Sequence, residues 1–111
     1  DFQVYKDAKR FYLDCVVISK NFDRIHWELG DQLRRCSLSV CLNIAEGSAK
    51  YSDKDFKRYL ENALGSVNEA VSCLDISLDS GLIRQEEFEK KKSEAEVIAK
   101  QLGGLVRKLR S

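Results

Sequence analysis

The sequence predicts an all-α protein, an antiparallel up-down-up-down four-helix bundle. Three observations predict it. Apolar residues recur at steps of three and four in four successive segments, Pro is absent, and only six glycines interrupt 111 residues. Short polar connections between four such segments make sequence neighbours antiparallel. The length and the ordinary globular mix, 43% hydrophobic and 33% charged, suit one domain over residues 1–111.

The first helix is predicted at about 2–20, where Val4, Ala8, Phe11, Cys15, Ile18 and Phe22 form one narrow stripe. Asn21 to Asp23 is a short connection. The second helix is predicted at about 23–46, with Leu29, Leu33, Cys36, Val40 and Ile44 as its stripe and Gly47 as a C-cap signal. Ser48 to Tyr51 is polar loop, after which Ser52 and Asp55 form a capping-box-like pair. The third helix is predicted at about 53–80. Its stripe of Phe56, Leu60, Ala63, Val67, Val71, Leu74 and Leu78 has heptad-like spacing, suited to shallow crossing angles, and Gly81 ends it. The fourth is predicted at about 84–109, with Phe88, Ala95, Ile98, Leu102, Leu105 and Leu109 inward, and Gly103 and Gly104 as an interruption near its end.

Lys plus Arg number 19 against 18 acids, so no whole-molecule basic field attracts nucleic acid. The distribution is uneven: residues 61–96 hold nine acids and four bases, whereas residues 97–111 hold four bases and no acid. Cys15, Cys36, Cys41 and Cys73 form no CxxC pair and His26 is the only histidine, so a tetrahedral metal site is not expected and reduced core cysteines are. No apolar run approaches the ~18 residues of a membrane span, and no signal-like segment is present, which predicts a cytoplasmic protein without membrane association. There is no nucleophile elbow and no phosphate-cradling Gly-rich loop. His26, beside Trp27, reads as a helix-start surface residue, and neither an enzyme nor a cofactor is expected.

The second helix has more apolar surface than a lone bundle needs. Opposite its main stripe lie Leu38, Leu42 and Ala45, and the run from Cys36 to Ala45 contains no charge. A helix apolar on both sides is buried on both sides, so this face predicts an oligomer interface. Leu13 and Val17, with Phe2, give a weaker echo on the first helix. Asn43 and Glu46, near the end of the apolar stretch, predict a structural polar network with Arg34, Arg35 or Glu69. A catalytic carboxylate is the sharper and less favoured reading. Gly65 lies off the third stripe near Arg58, Asn62, Glu69 and Ile76, either at a close approach or as a tolerated surface glycine.

Several blocks carry a family resemblance. Gln32-Leu33-Arg34-Arg35-Cys36-Ser37 looks like a "QLRRA" block, and Asn43-Ile44-Ala45-Glu46-Gly47 matches an "NIAEG" signature. Ser52, Asp55, Phe56, Arg58 and Leu60 match "S-x-x-DF-x-R-x-L"; Ala63, Gly65, Ser66 and Glu69 match "A-x-GS-x-x-E"; Gly81, Ile83 and Glu86 match the turn into the last helix. In this order they resemble the bacterial 23S rRNA intervening-sequence protein family. Two departures stand out: Cys41 occupies a position where the family commonly has Pro, and Asn21-Phe22 replaces a loop Pro. The resemblance implies a left-handed antiparallel bundle, often a pentameric ring, and a fold similar to the accessory protein of diversity-generating retroelements.

Two functions follow as expectations. One is a non-enzymatic, self-assembling scaffold whose homo-oligomer offers surfaces to protein partners. The other is a nucleic-acid module binding RNA or DNA through basic helix surfaces. Its candidate contacts are Lys6, Lys9 and Arg10, then Lys50, Lys54, Lys57 and Arg58, then Lys90 to Lys92, and Lys100, Arg107, Lys108 and Arg110. No basic strand interleaved with aromatics is present, so such binding would be to phosphates.

Overall fold

In the computed structural model, which describes residues 2–109, four helices follow one another: α1 (Phe2–Lys20), α2 (Trp27–Ser48), α3 (Asp53–Asp79) and α4 (Gln85–Lys108). At ~1.5 Å per residue the 27 residues of α3 run nearly the whole 44 Å long axis. No strand occurs among the described residues.

Cross-helix contacts give each pair its sense. Arg34 donates to Ser19 (2.9 Å), joining the start of α2 to the end of α1. Ser39 and Ser66 share a 2.8 Å hydrogen bond, and Gly47 lies against Tyr59, so α3 runs back along α2. Gln101 donates to Asp7 (2.8 Å) and Lys91 to Asp14, which sets α4 against α1 in the opposite direction. α1 packs on α2 and α4 but not on α3, so α1 and α3 occupy one diagonal of the bundle.

The predicted stripes make the core. Val4, Ala8, Phe11, Cys15 and Ile18 are buried on α1, and Leu33, Cys36, Val40 and Ile44 on α2. Leu60, Ala63, Val67 and Leu74 on α3 meet Phe88, Ala95, Ile98 and Leu102 on α4. Leu29, Phe56, Val71, Leu78, Leu105 and Leu109 are half-buried at its margins.

The ends of α3 follow the predicted chemistry. Ser52 Oγ accepts from the Asp55 amide (3.1 Å) as N-cap. At the other end Gly81 has φ +75°, which glycine adopts at no steric cost. The Leu82 amide reaches the Ser77 carbonyl (2.9 Å) and the Gly81 amide that of Leu78 (3.0 Å), the paired bonds of a Schellman cap.

Three boundaries differ from expectation. Arg24–His26 is a 3-10 turn, and α2 begins at Trp27 instead of about 23; the His26 ring bonds the Asp23 carboxylate and holds the tight turn. Gly47 is not a C-cap. It is buried inside α2, which continues to Ser48, and a Cβ there would stand 2.8 Å from Tyr59 Cβ and 3.0 Å from Phe56 Cδ1. Its role is to let α2 and α3 close together at their shared end. Gly103 and Gly104 do not interrupt α4, which runs on to Lys108 with Arg107 folded back beside both.

Candidate interaction surface

The second apolar side of α2 is uncovered. Leu42 is 58% exposed and Leu38 37%, and Ala45 is exposed with them. The buried flanks of the same helix explain why: Cys36, Ser37, Val40, Cys41 and Ile44 already occupy the space between α1 and α3. Leu38 and Leu42 form the apolar part of a groove of about 430 Å³ at the α2/α3 seam, completed by Arg35, Ser39, Asn43, Glu46 and Tyr59. On α1, Leu13 and Val17 are each 60% exposed, while the side chain of Phe2 falls outside the described residues.

The predicted polar network does not form as one unit within the chain. Asn43 Nδ2 donates to the Ser39 carbonyl (2.9 Å) and Ser39 Oγ (3.0 Å), and Ser39 Oγ in turn pairs with Ser66. Asn43 thus anchors a small α2–α3 polar chain built on serines. Glu46 pairs instead with Lys50 (3.1 Å). Arg35 bonds Asp31 (2.9 Å), and Arg34 divides between Ser19 and Asp31. Glu69 is exposed and makes no ion pair among the described residues. Partners four residues apart, Asp31 for Arg35 within α2 and Lys50 just past its end for Glu46, win over the longer contacts.

Gly65 is exposed, and nothing lies within 4 Å of where its Cβ would stand. The protomer does not use the glycine, although a helix-interior Gly costs about 1 kcal/mol relative to Ala.

The basic candidates divide. Lys6, Lys9, Arg10, Lys54, Lys100 and Lys108 are exposed, Lys57 is half-buried, and Lys9 lies 4.8 Å from the Tyr5 ring centroid. Lys50 and Arg58 flank the Tyr59 ring at 5.2 and 4.7 Å, and each has an acid partner, Glu46 and Asp55. Arg107 is exposed; Arg110 lies outside the described residues. Helix order brings most of them to one end of the bundle, where α1 begins, α2 passes to α3 and α4 finishes.

Lys91 is a correction. Grouped with Lys90 and Lys92 by sequence, it is 5% exposed and bonds Asp14 and Glu94 (2.8 Å to the latter) in the α1/α4 seam. Burial alone would lower its pKa; the hydrogen bonds it donates to Asp14 and Glu94 outweigh that and hold it above the ordinary lysine value. The signal was present, because the stripe steps from Phe88 to Ala95 and position 91 falls between them on the same face.

All four cysteines are free and buried. Burial pushes the Cys15 thiol up to about 12 and the Cys41 thiol up to about 11. Among the described residues no group of three or more His, Cys, Asp or Glu could hold a metal ion, and no helix is long and apolar enough to cross a membrane.

The fold has a close counterpart of known structure. A protein of unknown function from the S23 ribosomal protein family of Bacteroides thetaiotaomicron superposes with a TM-score of 0.88 over 93% of this chain and 97% of that one, at 24% identity. That likeness carries the fold alone. A search of curated proteins gave no significant match. Residues 1–104, all but the end of α4, match the family described as the 23S rRNA-intervening sequence protein, and the chain belongs to that family.

Proposed function

We propose that the protein is a non-enzymatic, self-assembling scaffold whose copies associate through the outward face of α2. One observation carries this: Leu38, Leu42 and Ala45 form an uncharged face that stays exposed once the bundle is complete. Covering Leu42 alone would contribute about 2 kcal/mol. Five copies in a ring is the number the family resemblance implies, and the assembled surface would present the same sites repeatedly to a protein partner. Sedimentation velocity across the micromolar range tests the reading. The wild-type protein is expected to run well above its 12.7 kDa protomer, and Leu42→Asp as the protomer. A wild-type protein sedimenting at protomer mass throughout would end the proposal.

A second reading, binding of RNA or DNA, has its own support. Lys6, Lys54, Lys57, Lys100 and Lys108 gather at one end of the bundle without an ion pair among the described residues, and the family name ties its members to 23S rRNA intervening sequences. Contacts would be to phosphates, so affinity should fall steeply with salt. Filter binding of RNA at two salt concentrations decides it: no retention at low salt, or retention indifferent to salt, removes this reading.

A further inference from the structure

We infer, building on the nucleic-acid reading, that Tyr51 is a stacking platform for an unpaired base of a single strand whose phosphates cross the lysines of the same end. Tyr51 stands in the connection between α2 and α3 and is fully exposed. That connection is short and bonded on both sides, which fixes where the ring is offered. The Ala49 amide donates to the Glu46 carbonyl (3.2 Å) and the Lys50 amide to that of Gly47 (3.0 Å), and Ser52 caps α3. The other two tyrosines of this end are occupied, Tyr5 by Lys9 and Tyr59 by Lys50 and Arg58. Tyr51 carries no cation among the described residues, so its ring is open to a ligand.

Charge selects the ligand. The half of the bundle that holds Tyr51, residues 2–10, 43–62 and 98–109, has ten Lys and Arg against five acids. The other half, residues 11–42 and 63–97, has eight against twelve. Three of the five acids are engaged: Glu46 with Lys50, Asp55 with Arg58, and Asp7 with Gln101. Asp53 and Glu61 are left facing Lys6, Lys54, Lys57, Lys100 and Lys108. The bundle is 22 × 19 Å across, so one short strand can reach these lysines and Tyr51 together. Trp27 is the contrasting case. It is also exposed, with Ile25, but stands in the acidic half within four residues of Asp23, Glu28 and Asp31, where a phosphate backbone is repelled. The exposed aliphatic side chains offer no π-face. A duplex keeps its bases stacked inside, out of reach of a ring on a loop, so an open ring among lysines suits an unpaired strand.

Fluorescence anisotropy at two salt concentrations tests the platform, with a labelled single-stranded oligo(A) RNA and a GC-rich RNA duplex of equal phosphate number. Tyr51→Ala is expected to lose about tenfold in affinity for the single strand, the worth of one base–ring stack, at either salt concentration, and to bind the duplex as the wild type does. Tyr51→Phe keeps the single-strand affinity. Lys54→Gln is expected to weaken binding of both RNAs and to flatten their salt dependence, because a phosphate contact is removed. Both positions are exposed, and circular dichroism checks that each variant stays helical. Single-strand affinity unchanged in Tyr51→Ala overturns the platform while nucleic-acid binding stands, and so does a duplex that loses as much as the single strand. Failure of the wild type to bind either RNA at low salt overturns the nucleic-acid reading itself and leaves Tyr51 to a protein partner.

Discussion

Two regions of this bundle reverse the usual placement of residues. The outward face of α2 puts leucines in water, and the α1/α4 seam puts a lysine out of it. The first has no answer within the chain. The second is answered fully, with Asp14 and Glu94 both on the Lys91 ammonium. An unanswered apolar face points outward to a partner; a satisfied buried charge points inward to register and packing. The seam is therefore a structural clasp, and the α2 face is the surface we propose as an interface.

Substitutions can break this contrast. Lys91→Met is expected to have the largest effect on protomer stability, about 2 kcal/mol. That is below the ~3–5 of a fully buried pair, because Asp14 and Glu94 keep some solvent. A lower denaturant midpoint at unchanged slope is the readout. Next come the two glycines flanking the α2/α3 seam. Gly47→Ala should destabilise by about 1–2 kcal/mol, since Tyr59 and Phe56 must shift. Gly65→Ala, in open space, should stabilise the dilute protomer by up to about 1 kcal/mol. Thermal melts of the pair, compared with wild type, check the sign of each. Leu42→Gln should change dilute protomer stability by less than about 0.5 kcal/mol while abolishing concentration dependence of the midpoint. A large loss in the dilute protein would make Leu42 a core residue and erase the contrast.

The thiols offer a finer test. Cys15 and Cys41 are held above their ordinary value of 9.0 by burial. A raised folded-state pKa contributes stability that is fully present below the unfolded value and is lost as pH rises through the folded one. The melting temperature should decline from about pH 9 towards 11–12. At pH 8 an aromatic disulfide reagent should leave Cys15 and Cys41 of the native protein untouched in seconds, and react with all four thiols in guanidinium.

Helix positions were legible because a stripe of period 3.6 needs only local pattern, and the Ser52 cap and Gly81 turn are chemistry readable within four residues. The uncovered α2 face was legible for the same reason: ten residues without charge cannot be solvated on every side. Lys91 was hidden by its neighbours, since Lys90 and Lys92 made it look like one of three solvated lysines, and its partner Asp14 stands 77 residues away. Gly47 read as a stop because glycine commonly follows a helix end; that Tyr59 stands against it depends on how α2 and α3 close. Within the protomer the polar groups do not join into one network, as Arg35 and Glu46 have partners one turn away before any longer reach is needed.

The α1/α4 join has a consequence for how the bundle comes together. α1–α2, α2–α3 and α3–α4 are hairpins of adjacent segments, whereas the bonds of Asp14 to Lys91 and of Asp7 to Gln101 span 77 and 94 residues. Closing so long a loop costs more chain entropy than closing a hairpin, so this join should form after the rate-limiting step. Asp14→Asn should then leave the refolding rate nearly unchanged and hasten unfolding, making α1 and α4 the last pair to zip and the first to part.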